Sequence, residues 1–294
     1  MILIFGCGIL GRHLLRALPE GERVLAVSTH DVCGVPGVRA DVSFLRCDVR
    51  ARDDLARLAE ICCGEPLTVF YFAAMHNIDA VFCDSEAARR VNIDGLRDFF
   101  DCGLNVRKLL FASTDCVYGE NDPDYPLFPE DAPLRPVNEY GRQKSAAEEI
   151  VRAHGFTVTR LPFMVGTSLC DKPNFYDNSV RRLQNGEEIE MIDGMARSAL
   201  GYPSAARLLL RLSQTALPPG ETVNVCGDRG YSKYEIGCLL AEQAGAPLSL
   251  VRKITMQQGQ RFFKDRRADN ALMDNTKLKR LLGVNEIPLG GLTC

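Results

Sequence analysis

The sequence predicts an α/β protein, a doubly wound parallel sheet with a smaller C-terminal lobe, and three observations carry this prediction. Short apolar or β-branched runs alternate with amphipathic segments through the first half, the pattern left by a parallel sheet wrapped in helices. The first run leads at once into a glycine-rich turn, Gly6-Cys7-Gly8-Ile9-Leu10-Gly11, which opens a helical pattern. The 294 residues, 46% of them hydrophobic, are enough to bury one large core with an added lobe.

Taken in order, residues 1–5, 23–28, 42–47, 67–73 and 108–113 read as strands. Residues 11–18, 52–62, 85–102 and 138–154 read as helices, the last ended by Gly155. A further strand at 156–165 precedes a stretch of mixed character up to residue 200. Pro218-Pro219-Gly220 is a turn before a returning strand at 221–226, and 231–244 is a helix in the C-terminal part.

Composition excludes several functions. The formal net charge is -3 and the basic residues are scattered, so nucleic acid is not an expected partner. The 12 cysteines lie thinly spread, mostly in apolar runs such as Ile61-Cys62-Cys63 and Asn224-Val225-Cys226, and read as reduced core residues. Paired Cys-x-x-Cys spacing is missing, so no metal is expected. Met1 runs straight into the first strand and no apolar run reaches the roughly 20 residues of a membrane span, so a cytoplasmic, soluble protein is expected.

The glycine-rich turn has mechanical meaning between a strand and a helix, and it stands there. Gly6, Gly8 and Gly11 let the backbone approach a pyrophosphate, and the helix that Ile9 and Leu10 lead into offers unpaired N–H groups and a positive dipole end. A Rossmann-type dinucleotide-binding domain is therefore expected over residues 1–165, with 200–227 returning to it. Residues 166–199 and 228–294 are expected to form the substrate-binding lobe. At the tip of the second strand, where a carboxylate usually grips the ribose 2'-hydroxyl, the chain has Ser28, Thr29 and His30. These can donate to a 2'-phosphate, so NADP(H) is favoured, with NAD(H) as the alternative that neighbouring Asp31 supports. Asp48, followed by Val49, is placed either to meet the adenine amino group or to cap the next helix. Ala73 and Ala74 end the fourth strand with small side chains that suit a dinucleotide lying across the edge or simply tight packing. His76 faces the same cleft as a polar wall.

Tyr140 and Lys144 stand four apart on a helical pattern and project from one face. An ammonium beside a phenol favours the phenolate and moves it from its ordinary pKa of about 10 toward a range useful for proton transfer. Ser113 and Thr114 end a strand at its carboxyl edge, where open α/β sheets bind ligands, and Thr114 can hydrogen-bond a substrate oxygen. With Gly6-x-Gly8-x-x-Gly11, Asp48, Asn92, Thr114 and Tyr140-x-x-x-Lys144 in order, the whole chain resembles the extended short-chain dehydrogenases/reductases. Ser113-Thr114-Asp115-x-Val117, Pro136-x-Asn138-x-Tyr140-Gly141-x-x-Lys144, Asn224-Val225-Cys226-Gly227 and Ser232-Lys233 are most similar to the dTDP-4-dehydrorhamnose reductases within them. Arg267-Ala268-Asp269, Asp274 and Lys277-Leu278 fit the same group. The resemblance implies Tyr140 as the acid, Lys144 holding the nicotinamide ribose and lowering the phenol's pKa, Thr114 polarising the carbonyl, and Asn92 supporting the lysine through water.

Departures from the family pattern narrow the chemistry. Similar 4,6-dehydratases carry Thr-Asp-Glu where this chain has Thr114-Asp115-Cys116, so the carboxylate for proton abstraction is absent and dehydration is not expected. Cys116 stands where similar GDP-fucose synthases keep a catalytic cysteine, but their partner histidine has no counterpart in 166–174, so Cys116 reads as structural, lining the substrate site beside Asp115. Arg160-Leu161-Pro162-Phe163-Met164-Val165-Gly166 replaces the segment in which the rhamnose reductases carry a Ser-Trp pair, which leaves the sugar open. Asn174-Phe175 resembles their nucleotide-sugar contact segment, and among Arg181, Arg182, Arg197 and Arg267 the last is preferred as a phosphate partner.

The expected activity is reduction of a 4-keto nucleotide sugar. The alternatives are an NAD-linked nucleotide-sugar epimerase using the same residues, and a non-catalytic dinucleotide-binding regulatory subunit. A small-molecule nucleotide sugar is the expected partner, with a homodimer as the candidate assembly.

Overall fold

The computed structural model describes residues 1–30, 42–120 and 122–291. Asp31, weighed above for cofactor choice, lies outside the described residues. Strands β1 (Ile2–Phe5), β2 (Val24–Ser28), β3 (Ser43–Arg46), β4 (Leu67–Tyr71), β5 (Val106–Thr114), β6 (Thr157–Leu161) and β7 (Thr222–Asn224) form one sheet. All its pairs are parallel, in the order β7-β6-β5-β4-β1-β2-β3. The order reverses between β1 and β4, and a crevice opens beyond the carboxyl ends of strands at such a reversal.

The helices used below are α1 (Ile9–Ala17), α2 (Arg52–Cys62), α3 (Ile78–Cys83), α4 (Ser85–Arg89), α5 (Gly95–Asp101), α6 (Glu139–Ala153), α7 (Phe175–Gln184), α8 (Tyr202–Gln214) and α9 (Lys233–Ala244). The pleat sends alternate strand residues to opposite faces. Ile4, Phe70, Leu110 and Val223 meet Leu14 of α1 and Leu209 of α8 on one face. Leu3, Phe5, Val69 and Tyr71 meet Leu55 of α2, Phe99 of α5 and Ala147 of α6 on the other. Because both faces are covered, β6 is buried along its whole length.

Three expected elements are interrupted, each for a local reason. The helix expected at 85–102 is divided by a π-helical turn, Arg90–Asp94, between α4 and α5, and α3 precedes it unforeseen. The strand expected at 156–165 stops at Leu161 because Pro162 has no N–H for a ladder; Met164–Val165 pairs instead with Leu200–Gly201. The helix expected from residue 231 starts at Lys233, because Ser232 caps it: its hydroxyl accepts from the Glu235 N–H at 3.1 Å while the Glu235 carboxylate accepts from the Ser232 N–H at 2.8 Å.

The C-terminal part packs α7 and α9 on a parallel pair, Ile189–Ile192 with Val251–Ile254. Tyr176, Leu183, Met191, Ile236 and Leu240 form its core. Between these segments α8 and β7 return to the main sheet. Ten described cysteines are free thiols. Among the described residues no helix is long and apolar enough to cross a membrane, and no group of three or more His, Cys, Asp or Glu could hold a metal ion.

Candidate active site

A cavity of about 460 Å³ opens at the carboxyl ends of β1, β4 and β5 and runs into the C-terminal part. Gly6, Gly8, Ile9, Leu10, Gly11 and Ala74 line one end, and Thr114, Asp115, Cys116, Tyr140 and Lys144 line the middle. Asn174, Phe175, Arg197, Lys233 and Arg267 lie on the lobe side.

The glycine turn has the form of a cradle. Gly6 sits at φ +100, and a Cβ there would meet the Ala73 nitrogen at 2.3 Å, so only glycine lets β1 and the end of β4 come this close. At Gly8 a Cβ would meet nothing within 4 Å, so that backbone faces open space, while at Gly11 it would press the Gly6 carbonyl and Ile4 at 3.2 Å. Gly8 is the N-cap of α1 without a side-chain cap, and no acid stands in the first helical turn. An anionic group above Gly8 therefore meets a helix N-terminus with no competing carboxylate. This donor set fits a dinucleotide pyrophosphate.

The residues expected around the adenosine and ribose are placed less uniformly. Ser28 is half-buried, Thr29 and His30 are exposed, and the His30 N–H donates to the Ser28 hydroxyl at 3.3 Å. They stand on the open rim of β2 rather than in the enclosed cavity. Asp48 has its carboxylate taken by Arg50, through the Arg50 N–H at 3.0 Å and the guanidinium at 2.6 Å, which holds it below the usual carboxyl range. It does not cap α2, whose N-cap is Ala51. Val49 is a core residue packed close to Gly95, and Ala73 serves the Gly6 contact.

Asn92 makes direct contacts that the sequence did not indicate. The π-helical turn points its amide inward, where Oδ1 accepts from the Met75 N–H at 2.8 Å and Nδ2 donates to the Met75 carbonyl at 3.1 Å and to Gln143 at 3.0 Å. It therefore fixes the loop after β4 to α6.

Helix α6 carries the central pair. Asn138 starts it by accepting from the Gly141 N–H at 2.9 Å, and Gly141 allows close approach to the 116 turn, since a Cβ there would meet the Cys116 carbonyl at 2.5 Å. Tyr140 is thereby brought to the cavity wall that Thr114 also lines. Burial first, and then the neighbouring Cys116 and Asp115 side chains, push the phenol above its ordinary range. Lys144 stands one helical turn along the same face of α6. Its ammonium lies 3.9 Å from the centre of the Phe111 ring, and burial pulls its pKa down to about 7. His76 lines the same wall with its side chain partly open to solvent.

Behind this pair stands a buried ionic network that sequence reasoning missed. Glu148, one turn after Lys144, is fully buried. It accepts from the Ser113 hydroxyl at 2.5 Å, from Arg160 at 2.7 Å and from Arg152 at 3.0 Å. Arg160 also donates to the Tyr118 hydroxyl at 2.7 Å and the Glu130 carbonyl at 2.8 Å, and Tyr118 donates to Asn224 at 2.7 Å. The network ties β5, β6, β7 and α6 together directly behind Thr114 and Lys144. The available signal was the spacing of Glu148 on the Tyr140 face.

On the substrate side, Asp115 is buried and its Oδ1 accepts from Thr114 at 3.1 Å. Its Oδ2 has no hydrogen-bond partner; Arg197 Nε stands 3.4 Å away as an ion pair only. Burial pushes the Asp115 carboxyl up. Burial and Asp115 push the Cys116 thiol up to about 12, so it stays protonated, with Sγ 3.6 Å from Asp115. Asn174 spends its amide on the α7 cap and the Gly166 carbonyl, at 3.1 and 2.8 Å, leaving Phe175 as the open wall of that segment. Arg267 pairs with Asp79 at 3.0 Å and lies over Phe263.

The family model for the NAD dependent epimerase/dehydratase family matches residues 2–226. UDP-glucose 4-epimerase of Streptomyces lividans is 30% identical over 161 residues, 53% of this chain and 47% of that protein. The chain thus spans about half the length of that curated relative. Methionine adenosyltransferase 2 subunit beta of Xenopus laevis is 26% identical over 265 residues, 84% of this chain and 73% of that protein. Among solved structures, UDP-glucose 4-epimerase of Thermotoga maritima with UDP-glucose superposes with a TM-score of 0.81 at 22% identity, covering 97% and 93% of the two chains. A dTDP-glucose 4,6-dehydratase from Streptomyces venezuelae with bound NAD gives 0.79 at 20% identity, covering 97% and 92%. The matched stretch takes in the glycine turn, the Thr114 strand end and the Tyr140 helix, and the chain belongs to the NAD dependent epimerase/dehydratase family.

Proposed function

We propose that this chain is an NAD(P)-linked oxidoreductase that reduces a 4-keto nucleotide sugar. The observation that carries the reading is the placement of Thr114, Tyr140 and Lys144 in the cavity that the glycine turn also lines. A phenol and an alcohol at one wall can give a proton to a carbonyl oxygen and steady the charge that develops on it.

A bound nicotinamide dinucleotide supplies the hydride. Tyr140 gives its Oη proton to the sugar oxygen, and the Thr114 hydroxyl steadies the charge developing on that atom. Lys144, on the same face of α6, would hold the nicotinamide ribose. The unpaired Oδ2 of Asp115 accepts from a sugar hydroxyl. Gly6, Gly8 and Gly11 with Ile9 and Leu10 would hold the pyrophosphate, and Ala74 the face of the nicotinamide. Hydroxyls and an imidazole at Ser28, Thr29 and His30 favour NADP(H) over NAD(H). Residues 166–199 and 228–294 serve as the substrate lobe.

The assay is NADPH consumption with 4-keto nucleotide sugars. Wild type oxidises the cofactor stoichiometrically, and Tyr140→Phe loses about a hundredfold or more of turnover. Interconversion of two nucleotide sugars with no net absorbance change would establish the epimerase reading instead, which the resemblance to UDP-glucose 4-epimerase favours. Inactivity on every carbonyl substrate together with a stable heteromeric complex would establish the binding-subunit reading, which the resemblance to a methionine adenosyltransferase beta subunit favours.

A further inference from the structure

Three cations gather on the lobe side of the cavity: Arg197, Lys233 and Arg267. Two of them are spent. Arg197 donates to the carbonyls of Ala196, Asp269 and Ala268 and faces Asp115. Arg267 donates to the Asp265 carbonyl and pairs with Asp79. Lys233 has neither a hydrogen-bond nor an ion-pair partner among the described residues. Its ammonium is flanked by the rings of Phe163, Phe175 and Phe263, at 5.9, 5.5 and 5.3 Å.

We infer that Lys233 is an anion-binding contact of the cavity, holding a phosphate or carboxylate oxygen of the substrate inside this ring of phenylalanines. Resting on the nucleotide-sugar reading above, the inference deepens it by giving the substrate an anionic group at this end. A cation that stands among two others without an acid of its own is unfavourable in the free protein. Burial and then the two arginines pull its pKa down to about 8. An oxyanion entering the cavity offsets that repulsion and takes the N–H donors that the rings cannot satisfy. Ring faces attract an ammonium, so a purely structural role predicts the opposite stability effect on its removal.

The test is calorimetric titration of the full chain with UDP, UDP-glucose and UDP-glucuronate, with dinucleotide binding and melting temperature measured alongside. Lys233→Met should weaken at least one of these ligands about tenfold or more, as the loss of a charge-assisted contact implies. Lys233→Arg should recover most of it, dinucleotide affinity should hold, and the free Lys233→Met protein should melt no lower than wild type. Equal weakening for UDP and both sugars assigns the anion to the diphosphate; weakening confined to UDP-glucuronate assigns it to a ring carboxylate. Unchanged affinity for all three, or a lowered melting temperature with affinity intact, overturns the inference while leaving the nucleotide-sugar reading standing. Wild type that binds dinucleotide but none of the three ligands, nor dTDP-glucose or GDP-mannose in the same titration, overturns both.

Discussion

Removing one partner of the Glu148–Arg160 pair should cost far more than removing both. Their side chains are 0% and 3% exposed and meet at 2.7 Å. Burial would raise the Glu148 carboxyl, but the hydrogen bonds and charge of Arg160 outweigh it and hold the group below its usual range. Leaving either charge alone in that interior costs roughly 3–5 kcal/mol. An unfolding entropy of about 2.1 cal/mol/K per residue makes roughly 0.6 kcal/mol/K for a chain of this length, so about 4 kcal/mol becomes a drop of about 6 °C in melting temperature. Calorimetric melting of Glu148→Gln, Arg160→Met and the double variant supplies the cycle. Each single variant should show the drop, and the double should fall well short of their sum, because the second change removes the charge that the first left unpaired. Additivity within about 0.5 kcal/mol would refute the reasoning and make the two side chains independent.

The pH dependence of stability follows from Lys144, which titrates near 10.5 when free and at about 7 when folded. Between those values the unfolded chain holds a proton that the folded chain lacks, so stability rises with pH. Buried Cys7, Cys47 and Cys116, pushed up to about 12, act in the opposite sense above about pH 9, which leaves pH 7–9 as the window to measure. Lys144→Met should reduce the rise in chemical denaturation across that window and leave the part above about pH 8 that Lys233, pulled down to about 8, supplies; an unchanged slope would contradict the assignment. Two glycines should separate folding from binding: Gly6→Ala is expected to cost about 3 kcal/mol or more through its backbone strain and clash. Gly8→Val should melt like wild type yet lose dinucleotide affinity, because its side chain fills the space above the turn. Thr114→Val should lower kcat/KM by about tenfold to a hundredfold through loss of a hydrogen bond to a developing charge, with dinucleotide affinity retained.

The main sheet was readable because its strands are short apolar runs closed by turn residues, and α6 because Asn138 and Gly155 mark its ends. The Tyr140 and Lys144 positions were readable from helical spacing, but spacing reports a shared face and not what lies beneath it. Phe111 under the ammonium comes from a distant strand, and it changes the electrostatics of the pair. The direct contacts of Asn92 were not legible because a π-helical turn leaves no mark in residue pattern, yet that turn decides where the amide points. Glu148 resembles a solvated partner for Arg152 until β6 places Arg160 against it. In the C-terminal part, Ile189–Ile192 and Val251–Ile254 pair across a long separation, so neither strand has a local signal that names its partner.

The central claim is that Thr114, Tyr140 and Lys144 form one wall of a site where hydride passes between a nicotinamide and a sugar carbon. Its most direct test is isotopic: the chain is incubated with a 4-keto nucleotide sugar and cofactor deuterated at the transferable position of the reduced nicotinamide, and the sugar product is weighed by mass spectrometry. The account predicts a product carrying a single deuterium on the former carbonyl carbon, with label transfer slowed about a hundredfold or more in Tyr140→Phe. Product without the label, or equal transfer in wild type and the variant, would contradict it.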